Sequence, residues 1–484
     1  MDPLDVPPVR VQARNSVPVG GGEYVLYWMI ASRRTRRNFG LQRAVEHCER
    51  LGLPLLVFEP LRCGHRWASQ RIHRFVMDGM VDNAARCAEA GVAYFPYLEP
   101  ADGAGRGLLA SLAERAAVVV TDTFPCFFLP RMVEAARRTL DVALEEVDGN
   151  GIIPLAVTEK ASSRAFDFRR ILQRTLPSHI DVRPLAEPLA RLSRTSSLDA
   201  LVAPGTLARW PAADLANDDL SRFPIDADVP PVAMRGGPVA GEALVERFLA
   251  RNLHRYHERN HPDQDVASGL SPYLHFGHVS SHEIVGTLLD DAQWTAPHVP
   301  LKPTGGRSGW WGLSEAQESF LDQVITWREL GYVFCHHTPD YDQYSTLPPW
   351  ARKSMDETRD DVRPELYTLE ELEQGRTSDP VWNAAQRQLR VEGRIHNYLR
   401  MLWGKRIYEW SPSPEEAWRR LEELNNRWSL DGRNPNSYSG IGWVMGRFDR
   451  AWGPVRPIYG KLRYMTSDST RRKLKLKQYL ARWE

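Results

Sequence analysis

A chain of 484 residues, 42% of them hydrophobic, is long enough for two or three domains with separate cores. Its formal net charge of +1 excludes an overall polycation, so any nucleic-acid surface must come from a local cluster of Lys and Arg. The sequence lacks a signal peptide, an apolar run of roughly 18 residues and any Cys/His cluster among five scattered cysteines, which predicts a soluble cytoplasmic protein with reduced thiols and no metal site.

The first half of the chain alternates short apolar runs with amphipathic stretches. The apolar runs predict buried strands at Tyr24–Ile30, Pro54–Phe58, Ala93–Leu98 and Ala117–Thr121. Helical patterns lie between them at Leu41–Leu51 and Ile72–Ala90. This alternation predicts a doubly wound parallel sheet over residues 23–182. No GxGxxG or GxxxxGK[ST] motif follows a strand, which excludes the standard dinucleotide fingerprint and the P-loop.

The second half is predicted to be helical. Residues 183–240 are rich in Pro, Asp and Ser and show little periodicity, which is typical of a connector. Helical patterns then dominate residues 241–484, at Glu242–Leu253, Ser281–Leu289, Glu315–Glu329, Pro380–Glu392, His396–Glu409 and Pro414–Asn425. We therefore predict an α/β domain followed by an all-α domain.

Tryptophan is concentrated in this helical half, where twelve of the sixteen lie at or after Trp310. Large rings usually pack a helical core. Trp403 and Trp410 are seven residues apart in a predicted helix and share a face, while Asn397 and Arg400 mark the neighbouring face. The spacing alone favours a core stripe with a polar side.

Three further segments are weak signals of ligand contact. Ser271 and Pro272 predict the N-cap and first position of a helix, and Ser268 before them would let a phosphate approach the helix end. Leu430–Trp443 is predicted to be a Gly/Asn/Pro-rich loop of the kind that wraps a ligand. The basic residues of Lys461–Lys477 form either a solvated face or a track for phosphates.

Several long motifs occur together in order, namely SGLSPYLHFG, DPVWNAAQ, HNYLRMLWGKRIYEW, LNNRWSLDGRNPNSYSGIGW and DRAW…GKLRYM. Together they resemble the FAD domain of class II photolyases over nearly all of residues 241–479. The segment WMIASRRTRRNFGLQRA is similar to the antenna-type domain of that family. The resemblance implies a monomeric, FAD-dependent enzyme that splits cyclobutane pyrimidine dimers in damaged duplex DNA by light-driven electron transfer.

The resemblance also implies a flavin site in the helical domain. It assigns the FAD pyrophosphate and ribityl region to Tyr256, Ser268, Leu270 and Ser271, and the isoalloxazine surroundings to Asn397, Arg400, Asn425 and Asp431. Arg400 is expected to pair with Asp449, and Asn425 is expected to face flavin N5. Trp382, Trp403 and Trp410 match the family's tryptophan chain for photoreduction, with Trp403 nearest the flavin.

On the substrate side, Trp327 and Trp443 resemble the aromatic clamp that holds the flipped dimer, with Met401 beside it. Residues Arg450, Trp452 and Arg463 match the duplex-contacting region, and Trp452 is suited to fill the gap left by extruded bases. Ordinary surface is the alternative for these last three residues.

The chain also departs from the family pattern. Gln323 stands at the position of the catalytic glutamate, and Gly269 stands where an asparagine is usual. After Trp443 the chain reads VMGRFDR, one residue short and without the usual histidine. Dimer repair is the expected function, and the alternative is a cryptochrome-like blue-light photoreceptor that keeps FAD and the tryptophan chain. The tryptophan spacing disfavours a non-photochemical DNA-binding protein. An antenna chromophore, deazaflavin or folate, and the acceptance of (6-4) photoproducts stay open.

Overall fold

The structure is a computed structural model and describes residues 5–216, 219–295 and 302–484. Within the described residues the chain forms two compact units. The first comprises Met1–Glu159, Leu176–Glu246 and Leu270–Trp294, and the second comprises Lys160–Thr175, Arg247–Gly269 and Thr295–Glu484. Residues 183–240, predicted as a connector, are therefore part of the first unit, whereas residues 160–175 are part of the second.

The first unit is built on a six-stranded sheet. Its strands are β1 Val11–Ala13, β2 Tyr24–Trp28, β3 Leu55–Leu61, β4 Ala93–Leu98, β5 Ala116–Asp122 and β6 Leu144–Val147. Its helices are α1 Phe39–Leu51, α2 Gln70–Glu89, α3 Leu108–Ala113, α4 Leu129–Thr139, α6 Leu198–Leu201, α7 Pro204–Arg209, most of α8 Pro238–Arg251, α9 Ser271–His275 and α10 Ser281–Asp291.

The strands lie in the order β1-β6-β5-β2-β3-β4, and every pair is parallel except β1 with β6. All residues of β2 and β5 are buried, as expected for strands covered on both faces by helices. The predicted doubly wound α/β fold is confirmed. The sequence prediction missed β1 and β6, and β6 is the strand LEEV with two consecutive charged residues.

Asp122, at the carboxyl end of β5, closes the turn that follows β2. Its Oδ2 accepts the backbone N–H groups of Ile30, Ala31 and Ser32 at 2.9–3.0 Å, and its Oδ1 accepts the hydroxyl of Tyr27 at 2.7 Å. The strand order changes direction between β2 and β5, which is where parallel sheets commonly bind a ligand's phosphates. Here the chain's own carboxylate occupies those amides, in agreement with the missing dinucleotide motif.

The second unit is helical. Its helices are α5 Ala165–Thr175, α11 Glu315–Leu321, a π-helix at Asp322–Trp327, α12 Arg328–His337, α13 Pro349–Glu357, α14 Leu369–Gln374, α15 Pro380–Glu392, α16 Asn397–Glu409, α17 Pro414–Trp428, α18 Pro435–Val444, α19 Ser467–Lys473 and α20 Lys477–Trp483. Short 3-10 turns of the chain lie at Pro8–Arg10, Leu155–Val157, Leu176–Ser178, Pro188–Arg191, Leu220–Arg222, Leu253–Glu258, Pro262–Gln264 and Tyr344–Thr346.

Two local predictions were wrong. The predicted loop Leu430–Trp443 is a short turn followed by α18, because the Asn434 side chain accepts the N–H of Ser437 and Pro435 opens the helix. Ser271 is the first residue of α9 and not its N-cap. Leu270 takes the cap position, and its side chain makes no capping hydrogen bond.

Helices α11 and α12 are joined by the π-helix, so that one helical rod runs from residue 315 to residue 337. Ser314 and Gln317 form a capping box at its start. A π-helix adds one residue to a turn and is most often found at functional sites. In the whole of the described part of the chain, no helix is long and apolar enough to cross a membrane. The same residues include no group of His, Cys, Asp and Glu side chains arranged to hold a metal ion.

Candidate functional site

The turn between α17 and α18 is held by a buried arginine. Arg433 has a positive φ of 62°, and its guanidinium donates to the carbonyl groups of Asn426, Ser429 and Leu430. Its backbone N–H donates to Asn426 Oδ1 at 2.8 Å. A left-handed arginine is sterically costly, and these hydrogen bonds to buried backbone groups offset that cost. The turn presents the Asp431 carboxylate in a fixed position.

Asp431 forms the ion pair that was expected of Asp449. Arg400 Nη2, on α16, lies 3.1 Å and 3.3 Å from the two carboxylate oxygens of Asp431. The turn is fastened near the start of α16 by a bond from Leu430 N to Gly393 O of 2.8 Å, which brings Asp431 to Arg400. The Asp449 carboxylate instead accepts the N–H of Arg450 and the indole N–H of Trp452. The predicted Arg400–Asp449 pair was therefore wrong.

Amide and imidazole groups lie on or next to the helices that flank this pair. Asn397 is exposed at the first position of α16, and Asn425 is buried in the last turn of α17, where its Nδ2 donates to Asn426 Oδ1 at 3.1 Å. Burial lowers the pKa of His396 to about 4, so its ring is neutral. An ion pair, two amides and a neutral imidazole supply both donors and acceptors, which fits the polar edge of an isoalloxazine ring.

The residues predicted for the phosphate region fall in both units. Tyr256, in the second unit, packs edge-on against Phe248 and Phe320, and burial raises its pKa to about 12. Arg259 lies with its guanidinium carbon 4.9 Å from the Tyr256 ring centroid. Ser268 is half-buried in the second unit, whereas Leu270 and Ser271 belong to the first. Their joint role at a pyrophosphate stays a prediction.

The three predicted electron-transfer tryptophans are in contact. Trp382 and Trp403 stack with ring centroids 6.5 Å apart and an interplanar angle of 1°. Trp410 meets Trp382 edge-on at 5.4 Å. Trp382 is therefore the middle ring, and all three rings are at most 3% exposed. The half-buried Tyr367 lies 5.1 Å from Trp410 and leads toward solvent.

Each stacked indole donates to a neutral acceptor. Trp403 Nε1 lies 2.8 Å from Gln386 Oε1, and Trp382 Nε1 lies 3.0 Å from the carbonyl oxygen of Trp403. Gln386 Nε2 donates to the carbonyl oxygen of Glu373, which fixes the amide orientation. Sequence analysis missed Gln386 and Tyr367. The signal for Gln386 was its position four residues after Trp382 on one helix face.

A second aromatic pair lies beside the π-helix. Trp327 and Trp443 stack at 4.9 Å with an interplanar angle of 29°, and both rings are half-buried. Gln323 and Met401 are also half-buried. The structure thus brings the two predicted clamp rings together. Trp327 Nε1 donates to Asp322 Oδ2 at 3.1 Å, and Asp322 is in turn paired with Arg169, two residues that sequence analysis did not single out for the site.

The predicted DNA-contacting residues form one exposed cluster. The guanidinium carbons of Arg450 and Arg463 lie 4.7 Å and 5.4 Å from the Trp452 ring centroid. A bond of 2.8 Å from Trp452 N to Lys461 O joins the two segments that carry these residues. Both arginines are exposed, so the cluster offers two cations and one large ring to a ligand.

Lys405 is buried behind α18. Its ammonium donates to the carbonyl oxygen of Val444, next to Trp443 in the chain. Burial lowers the pKa of Lys405 to about 7, and Asp449 partly opposes this shift. No local sequence pattern distinguishes this lysine from the exposed ones. Its position indicates a packing role between α16 and the end of α18.

The chain matches a known family model and several known proteins. The model of the FAD binding domain of DNA photolyase matches residues 320–458. A deoxyribodipyrimidine photo-lyase of Methanothermobacter thermautotrophicus is 32% identical over 466 residues, with 95% of this chain and 94% of the relative covered. One of Arabidopsis thaliana is 32% identical over 468 residues, with 94% and 88% covered.

Two solved structures share the fold. A bacterial class III photolyase from Agrobacterium tumefaciens aligns with a TM-score of 0.68 at 16% identity, covering 96% of this chain and 86% of that one. An archaeal photolyase from Sulfolobus tokodaii, described with two FAD molecules, aligns with a TM-score of 0.64 at 14% identity, covering 95% and 89%. At these identities the likeness concerns the fold alone.

Proposed function

The chain belongs to the DNA photolyase family, and we propose that it repairs cyclobutane pyrimidine dimers by light-driven electron transfer. Its cofactor is FAD, in line with the matched FAD-binding domain. Its activity is that of a deoxyribodipyrimidine photo-lyase, the name shared by its relatives. The proposal of dimer repair by electron transfer rests on one observation. A single unit holds a stacked tryptophan chain, an ion pair with amides, and an aromatic pair beside Gln323.

When bound and reduced, FAD would supply the light-excited electron needed to open the dimer. The protein residues hold and orient the ring. The Arg400–Asp431 pair and the amides of Asn397 and Asn425 provide fixed donors and acceptors, and Asn425 is proposed to lie nearest N5. A charge-assisted pair is well suited to this task because it is stronger and better oriented than a bond between neutral groups.

The tryptophan chain is proposed to keep the cofactor reduced. Trp403 gives up an electron, Trp382 refills Trp403, and Trp410 refills Trp382, after which an external thiol restores the last ring. The parallel stacking of Trp403 on Trp382 supports the first exchange. The Trp403 indole proton stays on Nε1, because the Gln386 amide accepts its hydrogen bond without acting as a base.

The lesion is proposed to bind at Trp327 and Trp443 after leaving the duplex. Two large half-buried rings offer the apolar contact that a flipped dimer needs, and Met401 adds a flexible apolar group. Gln323 would donate its amide hydrogens to the dimer. Arg450 and Arg463 would contact phosphates, with Trp452 directed at the gap in the duplex. We propose a monomer as the active form.

A blue-light photoreceptor is the second candidate, and Gln323 is the residue that favours it. A photoreceptor needs the flavin and the tryptophan chain but not the family's glutamate at the lesion. Trp327 and Trp443 favour repair, because a paired aromatic surface beside the π-helix offers the apolar contact that a flipped dimer needs.

Dimer loss under light separates the two candidates. The protein is purified, reduced with dithionite, mixed with ultraviolet-irradiated oligothymidine and exposed to blue light. Dimer loss is measured by the recovery of thymine absorbance, which the dimer lacks because its 5,6 double bonds are saturated. Repair predicts light-dependent loss that is absent in the dark and strongly reduced in Trp327→Ala. Photoreduction of the flavin without any dimer loss would support the photoreceptor and contradict repair.

A further inference from the structure

Trp327 is held by two charged residues from different parts of the chain. We propose that Asp322 and Arg169 are positioning residues that set the orientation of the Trp327 ring for lesion binding. They act through Trp327 and do not touch the dimer themselves. The inference rests on the proposed function, since it assigns a purpose to the orientation of a lesion-binding ring.

The π-helix creates the contact between Asp322 and Trp327. Its i→i+5 hydrogen bonds bring residues five apart to the same side, which an α-helix does not do. As a result the indole Nε1 of Trp327 donates to Asp322 Oδ2 at 3.1 Å. The extra residue of the π turn therefore places the Asp322 carboxylate as an acceptor for the indole N–H. The adjacent Gln323 faces a different direction.

Arg169 fixes the carboxylate that accepts this bond. Its Nε and Nη2 lie 2.6 Å and 3.0 Å from the two Asp322 oxygens, a bidentate arrangement that removes the rotational freedom of the carboxylate. The Arg169 side chain is only 6% exposed, so solvent screens the pair weakly. Arg169 comes from α5, within residues 160–175 of the second unit.

The same arginine also approaches the ring itself. Its guanidinium carbon lies 5.7 Å from the Trp327 ring centroid, within the range of a cation–π contact. The ring also stacks on Trp443 at 4.9 Å. Since Trp327 is only half-buried, packing leaves its tilt underdetermined, and the indole bond supplies the missing constraint. A ring held in advance loses less rotational entropy when the lesion binds.

A double-mutant cycle tests whether Asp322 acts through Trp327. Affinity is measured by fluorescence anisotropy for a dimer-containing duplex and for the undamaged duplex of the same sequence. In the wild-type background, Asp322→Ala is expected to lower the preference for damaged DNA about tenfold, the scale of one hydrogen bond to a charged group. Trp327→Phe keeps an aromatic ring but removes the N–H. In that background Asp322→Ala is expected to change the preference less than about twofold.

Two further variants separate positioning from folding. Asp322→Asn keeps an acceptor for the indole and should retain most of the preference, whereas Arg169→Met should lose it. Arg170→Met is the matched control, because Arg170 is the exposed neighbour of Arg169 on α5. Flavin content and near-ultraviolet circular dichroism should be unchanged in all of them. If Asp322→Ala destabilises the protein, ultraviolet resonance Raman difference spectra against Trp327→Phe isolate the Trp327 indole among the sixteen tryptophans, and we expect its hydrogen bond to weaken in Arg169→Met.

The outcomes are distinguishable. An equal loss from Asp322→Ala in the wild-type and Trp327→Phe backgrounds would overturn the inference and leave dimer repair standing, as would an unchanged indole Raman band in Arg169→Met. A wild-type protein without any preference for damaged DNA would overturn both.

Discussion

The indole rings of Trp403 and Trp382 lie parallel, with an interplanar angle of 1° and centroids 6.5 Å apart. Both indole N–H groups donate to neutral oxygens, one from the Gln386 side chain and one from the Trp403 backbone. Neither oxygen is basic enough to remove a proton. An oxidised ring therefore keeps its charge, and that charge can move to the next ring instead of being trapped by deprotonation.

Replacing Trp403 with Phe tests this chain directly. Phenylalanine is much harder to oxidise than tryptophan but fits the same space, so we expect photoreduction of the bound flavin in the presence of a thiol to slow by roughly an order of magnitude or more. The measurement is the decay of oxidised-flavin absorbance under blue light. Trp418→Phe is the control. Trp418 is a buried tryptophan outside the predicted electron-transfer chain, and its indole N–H donates to the backbone carbonyl of Asp342. Dimer repair by chemically reduced Trp403→Phe should be normal. Unchanged photoreduction in Trp403→Phe would mean that the three tryptophans only pack the helical core.

The pairing of Arg400 with Asp431 predicts different effects for two aspartates. Asp431→Asn leaves the Arg400 guanidinium without its carboxylate, and we expect FAD affinity to fall roughly tenfold. Asp449→Asn should leave FAD affinity unchanged, because Asp449 bonds to Arg450 and Trp452. FAD binding is measured by titration of the deflavinated protein. A larger effect from Asp449→Asn would favour the pairing that the resemblance implied.

Lys405 makes stability depend on pH in a specific direction. Burial lowers its pKa from 10.5 to about 7, so between these values the unfolded chain binds more protons than the native one. The free energy of unfolding should therefore rise with pH in this window, by about 2 kcal/mol between pH 7 and pH 9. Urea denaturation at the two pH values measures the change. In Lys405→Met this contribution should vanish, and an identical slope in both proteins would contradict the burial of an ionisable group.

The cluster around Trp452 predicts salt-dependent DNA binding. Affinity for damaged duplex should fall with rising salt, because bound arginines release counterions from the phosphates. Arg450→Ala and Arg463→Ala should each weaken binding and reduce the salt slope by about one. Arg419→Ala is the control, since Arg419 is an arginine of the same unit that is already paired with Glu416. Unchanged binding in both cluster variants would mean that the DNA contacts lie elsewhere.

The predictable parts of the molecule were those with local signals. Strands β2 to β5 follow from apolar runs, but β6 was missed because Glu145 within it is paired with Arg43 and His47 of α1, about 100 residues earlier in the chain. The same limit applies at the site. Long-range pairing brings Asp431 to Arg400 and Arg169 to Asp322. Neither contact could be predicted, because no local pattern links residues so far apart in the sequence. The π-helix was also hidden, because its hydrophobic pattern is that of the α-helices around it.

Gln323 stands where the family has a glutamate, and the adjacent Asp322 does not replace that acid. The Asp322 carboxylate is bonded to Arg169 and to the Trp327 indole, so it does not face the lesion site as a donor. Gln323 is similar in size to glutamate and donates through its amide, but it cannot transfer a proton. We therefore expect dimer repair with a lowered quantum yield and a gain in Gln323→Glu. One hydrogen bond to a charged group contributes about 1.5–3 kcal/mol, enough to shift the competition between ring opening and electron return.

The comparison is made on chemically reduced protein at saturating substrate, so that neither photoreduction nor affinity limits the yield. Gln323→Met, which keeps the length but removes the donor, should repair less well than the wild type. A lower quantum yield in Gln323→Glu would show that the site works better with an amide than with a carboxyl group at this position, and would contradict the expected gain. If the wild type repairs nothing and Gln323→Glu restores nothing, while photoreduction through Trp403 is intact, the photoreceptor function replaces repair.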